Sequence, residues 1–410
     1  MFRSLNDKAY VVGGKIRDEI LELESNDCDY CIEATVEEFE KVFPDAKKVG
    51  QNFPVYLHPD SGEEIALTRT EKTGNVKQSN LVDIGSYQDF EVIDVGVSIY
   101  HDLARRDFTI NSIAKNYLTG EIVDPYNGIF DIEHKILRCI NNMAFVEDPL
   151  RIYRGARFAA RFGLTIESFT LQSMKNAGFR LRNITMERVA LELEKVYDQC
   201  DKPSEFFRIL DKANLLNYHF IEFKMAQLRL AGKPEWHPEG SVFNHLMDAF
   251  DRAKESGYSF PVAMAALTHD LGKLGTPEEE LPSHRKHEAR IEILEGFLNR
   301  HRFSNEVSDL CKVVFTNHMR VHDLERIKKP VKIVRFVKAM REKFRVDFIN
   351  ACDCDDRLSN NQFFIWNSGV EAVKKTKIVI PEASTEKSDI IAYVEQQITK
   401  TYMDIINEKI

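Results

Sequence analysis

The sequence predicts an α+β protein in which an α/β head precedes an all-α remainder. Three observations carry this. Short β-type runs alternate with helical runs up to about residue 138. From residue 139 strand signals fade and helical periodicity continues to the end. The 410 residues allow two to four domains, and apolar and charged fractions of 43% and 30% are those of a globular chain.

The elements follow in order. "KAYVV" (8–12) is a short strand ending at Gly13-Gly14, and Ile16, Ile20 and Leu23 then recur at helical spacing. "CDYCI" (28–32) is the next strand. Thr35 and Glu38 form a capping-box pattern that opens the helix "VEEFEKVF". "NFPVYLH" and "EEIALTR" flank "PDSG" and read as a β-hairpin. Residues 71–104 read as an insert, loop-like over "TGNVKQSN" and then mixed. "TGEIVDPYNG" is a strand and turn. "AGKPEWHPEG" (231–240), with two prolines and two glycines, reads as a linker. "VIPEAST" (379–385) precedes a last amphipathic helix carrying Ile390, Ile391, Val394 and Ile398.

The seven cysteines are odd in number and irregularly spaced, which reads as reduced thiols in a cytoplasmic protein. No apolar run is long enough to span a membrane, and "MFRSLNDKAYVV" lacks the shape of a signal peptide. A net charge of −9 does not favour nucleic acid binding, but local basic faces decide that, not the total.

"NDCDYCI" (26–32) places Asp27 and Asp29 on one face of a strand. Two carboxylates that close repel each other unless a cation lies between them. Mg2+ takes hard oxygen ligands and keeps positions open for water and phosphate. Glu64, on the hairpin, is a candidate third carboxylate. Gly13-Gly14 sits at a strand-to-helix turn, where backbone approaches a triphosphate closely, and Arg17 lies one turn on.

"VVGGKIRDEILELESNDCDYCI", "RRDFTINSIA", "DPYNG" and "EDPLRIYRGARFAARFGL", in that order, resemble the class II tRNA nucleotidyltransferases, the group of bacterial CCA-adding enzymes and poly(A) polymerases. The resemblance implies a polymerase-β-like nucleotidyltransferase head (1–138) and a helical neck (139–230). It implies that Asp27 and Asp29 hold magnesium and that Gly14, Arg17, Arg106, Arg154 and Arg157 contact the incoming nucleotide. It implies tRNA 3′ ends, CTP and ATP as partners, and a homodimer. Asp148 and Arg151, three apart on an expected helix, offer an acceptor beside a donor. That pair matches cytosine and adenine and mismatches guanine and uracil, so the resemblance assigns it base selection.

The second half orders His245, His269, Asp270, His287, His318 and Asp355 as H…HD…H…H…D, which resembles the HD phosphohydrolases. His284 and His322 compete with His287 and His318, and Asp353 and Asp356 with Asp355. Imidazoles and carboxylates suit a divalent transition metal such as nickel, manganese or cobalt, which lowers the pKa of bound water. The resemblance implies an HD domain over 231–375, a tail over 376–410, and phosphatase, 2′-nucleotidase and 2′,3′-cyclic phosphodiesterase activities. The competing readings are a poly(A) polymerase, an enzyme adding only CC or only A, and an HD hydrolase with an inactive head.

Overall fold

The computed structural model describes residues 8–24, 28–49, 55–58, 61–73, 90–378 and 387–409. Asp27 lies outside the described residues, as do 74–89 of the 71–104 stretch and 379–386. The chain divides into two compact units, Met1–Cys200 with Glu205–His219, and Asp201–Ser204 with Phe220–Ile410.

The first unit opens with β1 (Ala9–Val12), α1 (Gly14–Ile20), β2 (Asp29–Ile32), α2 (Val36–Val42), β3 (Lys47–Lys48), β4 (Val55–Leu57) and β5 (Glu64–Leu67). Then come β6 (Arg69–Thr73), β7 (Phe90–Val95), α3 (Ile99–Ala104), β8 (Ala114–Asn116) and β9 (Ile122–Val123). The main sheet runs β3-β4-β5-β2-β1-β8-β9. Only the β2–β5 pairing in it is parallel. β2 sits inside because both its faces find apolar cover. Tyr30 and Ile32 pack with Ala9, Phe39, Tyr56, Ile65 and Leu67, while Cys31 packs with Val12, Ile99, Leu103 and Ala114. The Thr35–Glu38 capping box forms as its residue types require.

One expectation about the first unit needs correction. The 71–104 stretch is not simply a loop: its ends carry β6 and β7, paired antiparallel, and then α3. "RRDFTINSIA" yields a single 3-10 turn, Thr109–Asn111. The Thr109 N–H donates to the Arg138 carbonyl, and the Gly13 N–H to that of Ile113. These ties pull the segment into an extended path toward β8.

Helices then dominate: α4 (Gly128–Glu133), α5 (Ala144–Glu147), α6 (Leu150–Phe162), α7 (Ser168–Ala177), α8 (Met186–Gln199), α9 (Ser204–Lys212) and α10 (Leu216–His219). Two short parallel strands, β10 (Ile136–Leu137) and β11 (Thr165–Ile166), interrupt them.

The second unit is helical: α11 (Ile221–Ala226), α12 (Val242–Glu255), α13 (Phe260–Thr268), α14 (Ile291–His301), α15 (Asn305–His322), α16 (Pro330–Ala339), α17 (Arg345–Asp355), α18 (Asn360–Lys375) and α19 (Lys387–Lys409). α13 is apolar all round, so it forms the centre, packed by α12, α15 and α17. Val394, Ile398, Tyr402 and Ile405 of α19 dock on Ile333, Val334 and Ala372. The stretch 231–240 is not a linker. It is a closed loop of this unit, with Leu230 bridged to Ser241 and the Ala231 N–H on the Gly240 carbonyl.

Candidate functional site

The first candidate site forms where β1 ends. Val12 pairs with Asp29 across the sheet, and the chain then turns at Gly13 with φ +67°. That conformation favours glycine, and the missing Cβ matters as well: it would lie 2.9 Å from a terminal nitrogen of Arg106. Asp29 is exposed and shares its face with Cys31, whose neighbour on β5 is Ala66. Glu64, two residues before Ala66 and also exposed, is thus on the same face of the adjacent strand. These hard oxygen donors at the mouths of two parallel strands suit magnesium.

The arginines around this corner are held rather than loose. Asp102 is buried and accepts from both Arg105 and Arg106. Burial raises its pKa, and the two guanidiniums outweigh that and lower it. Arg17, expected to reach a phosphate, is buried. It donates to Asp18 and to Asn111 Oδ1 at 2.6 Å, and it lies over the rings of Phe158 and Phe162. Asp107 Oδ1 accepts from the Phe108 N–H and the Asn111 amide, and Oδ2 from Arg154 at 2.7 and 2.9 Å.

Asp148 and Arg151 do not sit on one helix as expected. Asp148 is extended at the end of α5, and α6 begins at Leu150. Pro149 explains this, because a residue before proline is pushed out of the helical region. The two remain adjacent, with the Arg151 N–H on the Asp148 carbonyl. Asp148 Oδ1 accepts from the Leu150 N–H and from Arg188 at 3.4 Å. Arg151 Nη2 donates to the Arg105 carbonyl at 2.8 Å. Its Nη1 is buried without a hydrogen bond among the described residues, and Glu147 at 3.9 Å is too far for one. Arg157, expected near the nucleotide, is buried against Glu192 and Gln199 of α8. Asn111, Arg188 and Glu192 were not singled out from the sequence. Their contacts with Arg17, Asp148 and Arg157 span dozens of residues, which leaves no local pattern.

The second candidate site lies in the second unit, where all six expected residues meet. Asp355 Oδ1 lies 2.9 Å from His245 Nε2 and 3.2 Å from His269 Nε2. Asp270 Oδ1 lies 2.9 Å from His287 Nε2 and 3.4 Å from His318 Nε2. His284 is spent on Thr276 and the Leu230 carbonyl, and Asp353 on Arg357 and the Leu358 N–H. His322 touches the far oxygen of Asp355. Three residues missed from the sequence support the cluster: Glu239 beside His245 at 3.0 Å, Lys273 on Asp270 at 2.6 Å, and Gly272.

The donor chemistry fits a metal. Nδ1 of His269, His287 and His318 each faces a backbone carbonyl, which only accepts, so each Nδ1 carries the proton. Their Nε2 lone pairs then point inward. Nε2 of His287 and His318 face each other at 3.3 Å, a repulsive arrangement unless a positive charge lies between. Burial pulls the His269 imidazolium down, and Asp355 and Asp270 outweigh it and push it up to about 9. The pocket thus calls for positive charge, and its ligand orientation is that of a supported metal centre. Among the described residues no helix is long and apolar enough to cross a membrane.

The "Poly A polymerase head domain" family matches residues 9–138, and the "Probable RNA and SrmB- binding site of polymerase A" matches 163–226. The multifunctional CCA protein of Methylobacillus flagellatus is 39% identical over 364 residues, 85% of this chain and 84% of the relative. That of Nitrosospira multiformis is 40% identical over 360 residues, 85% and 83%. In fold, the chain is similar to a CCA-adding enzyme in apo form, with TM-score 0.66, 20% identity and coverage of 100% and 93%. It is also similar to the Thermotoga maritima CCA-adding enzyme complexed with tRNA, with TM-score 0.62, 19% identity and coverage of 100% and 95%. With a polymerase-β-like head, a helical remainder and such identity over most of its length, the chain belongs to the multifunctional CCA protein family of class II tRNA nucleotidyltransferases.

Proposed function

We propose that this chain adds CCA to the 3′ end of tRNA from CTP and ATP, releasing pyrophosphate, and hydrolyses phosphate esters at its second site. The Asp148 carboxylate and the Arg151 guanidinium, on residues joined by a backbone hydrogen bond and with Nη1 of Arg151 making no hydrogen bond among the described residues, carry the first part. Cytosine and adenine each bring an acceptor for such a donor and an amino group for the carboxylate, and guanine and uracil bring the reverse. Arg188 holds Asp148 in place, and Arg157 braces α6 against α8 through Glu192 rather than touching the nucleotide. Arg106, over Gly13, and Arg154, beside Asp107, are the cations nearest the phosphates. Asp29 and Glu64, with Asp27, hold magnesium. When bound it neutralises phosphate charge and favours attack of the tRNA 3′-hydroxyl on the α-phosphate. Gly14, the first residue of α1 after that turn, leaves backbone room for the triphosphate.

In the second unit His245, His269, Asp270, His287, His318 and Asp355 hold a divalent transition metal such as nickel, manganese or cobalt. When bound it supplies a water acidic enough to attack phosphate at neutral pH. The domains run as head 1–138, neck 139–230, HD domain 231–375 and tail 376–410. Function in the cytoplasm and as a homodimer completes the reading, and sedimentation velocity decides the latter.

The test is a tRNA lacking its 3′ end, incubated with each nucleoside triphosphate and magnesium. CTP then ATP incorporation, halting after three nucleotides, is expected. Long A tails select a poly(A) polymerase. Incorporation of C alone, or of A alone, selects a partial enzyme, and no extension leaves only a hydrolase.

A further inference from the structure

The loop 231–240 is pinned at its foot and bare at its tip. Besides the closure at Leu230–Ser241, the Ala231 carbonyl accepts from Lys273, which also pairs with Asp270. His237 packs so tightly on Gly232 that a Cβ there would come within 2.2 Å of the imidazole. One oxygen of Glu239 serves both His237 at 2.8 Å and His245 at 3.0 Å, and the two rings stand 5.3 Å apart. The loop is therefore part of the His/Asp cluster's support. Trp236, the residue before His237, is nevertheless 80% exposed. The other tryptophan, Trp366, is fully buried beside Phe336 and Phe348. A loop tied to the His/Asp cluster through His237, Glu239 and Ala231, and holding a large aromatic ring in water, offers a flat face for another flat group.

We infer that Trp236 is a stacking platform for the nucleobase of the phosphate ester hydrolysed at this cluster, and so a specificity-determining residue. The inference rests on the hydrolytic reading of the cluster. Stacking suits it because every base has a π-face, so selection is for nucleotides over base-free esters and not among bases. The phosphate is held at the cluster while the base lies on the ring of the residue before His237.

The test uses the manganese-loaded full chain with adenosine 2′-monophosphate and glycerol 2-phosphate. Trp366 is shielded from water, so the iodide-quenchable emission belongs to Trp236. Adenosine 2′-monophosphate is expected to quench that emission and protect it from iodide, and glycerol 2-phosphate is not. Trp236→Ala is expected to raise KM for the nucleotide relative to the base-free ester on the order of tenfold, and Trp236→Phe to restore most of the difference. Hydrolysis of both esters without protection of Trp236, or an equal KM change for both in Trp236→Ala, overturns the platform alone. Failure to hydrolyse either ester overturns the hydrolytic reading beneath it.

Discussion

A single carboxylate, Asp107, ties the arginine-rich turn to the helix that follows. Burial raises its pKa, but Arg154, Asn111 and Arg151 outweigh that and lower it from 3.8 to about 2. A depressed carboxylate stabilises the fold above its unfolded pKa, and the effect is lost as pH falls through the folded value. Asp107→Asn is therefore expected to lower stability at pH 7 by about 2 kcal/mol through this linkage. The deficit shrinks below pH 4 and is gone only below pH 2, as urea unfolding at several pH values would measure. Glu239 makes a second prediction. Glu239→Gln keeps the shape but weakens the acceptor that orients His245, so metal affinity falls on the order of 10- to 100-fold in a titration. Asp29 and the six cluster residues were legible in the sequence because their types and order carry the chemistry. Glu239 was not, because its partner is a histidine six residues on and no periodicity links a loop carboxylate to a helical ring.

At the scale of elements, the turn after α13 controls the His/Asp cluster by closeness. Gly272 has no room for a side chain: a Cβ would stand 2.2 Å from the His287 carbonyl and 2.8 Å from Phe315. Gly272→Ala is expected to cost roughly 1–3 kcal/mol and to displace His287, lowering both Tm and metal content. Gly296, inside α14 with nothing within 4 Å of its Cβ position, is the control. Its change to alanine is expected to raise stability by about 0.4–1 kcal/mol. Elements with strong local signals were read correctly, among them α2 with its capping box and the β4–β5 hairpin. Those shaped by distant partners were not. Pro149 carried the information that Asp148 leaves the helix, but helical spacing alone hid it. The prolines and glycines of 231–240 marked a turn-rich path correctly, yet composition does not say whether such a path joins domains or folds back onto one. In "FEVIDV", acids fall among apolar residues on both alternating faces, so no single face declared the β7 ladder.

At the scale of the whole molecule, the two candidate sites lie in separate compact units and share no residue. Their losses are expected to separate. Asp29→Asn abolishes tRNA extension while phosphate ester hydrolysis persists, and Asp270→Asn does the opposite, each measured on the same preparations. A net charge of −9 gave no hint of this division, since totals say nothing of where charges gather. The Arg151 Nη1 has one more consequence. It is a donor that finds no acceptor among the described residues, and a molecule that brings the matching lone pair becomes part of the scaffold. CTP and ATP are therefore expected to raise the melting temperature more than GTP and UTP do, with no RNA present, in a thermal shift series. The protein would then sense its proper letters as heat resistance before any bond is made.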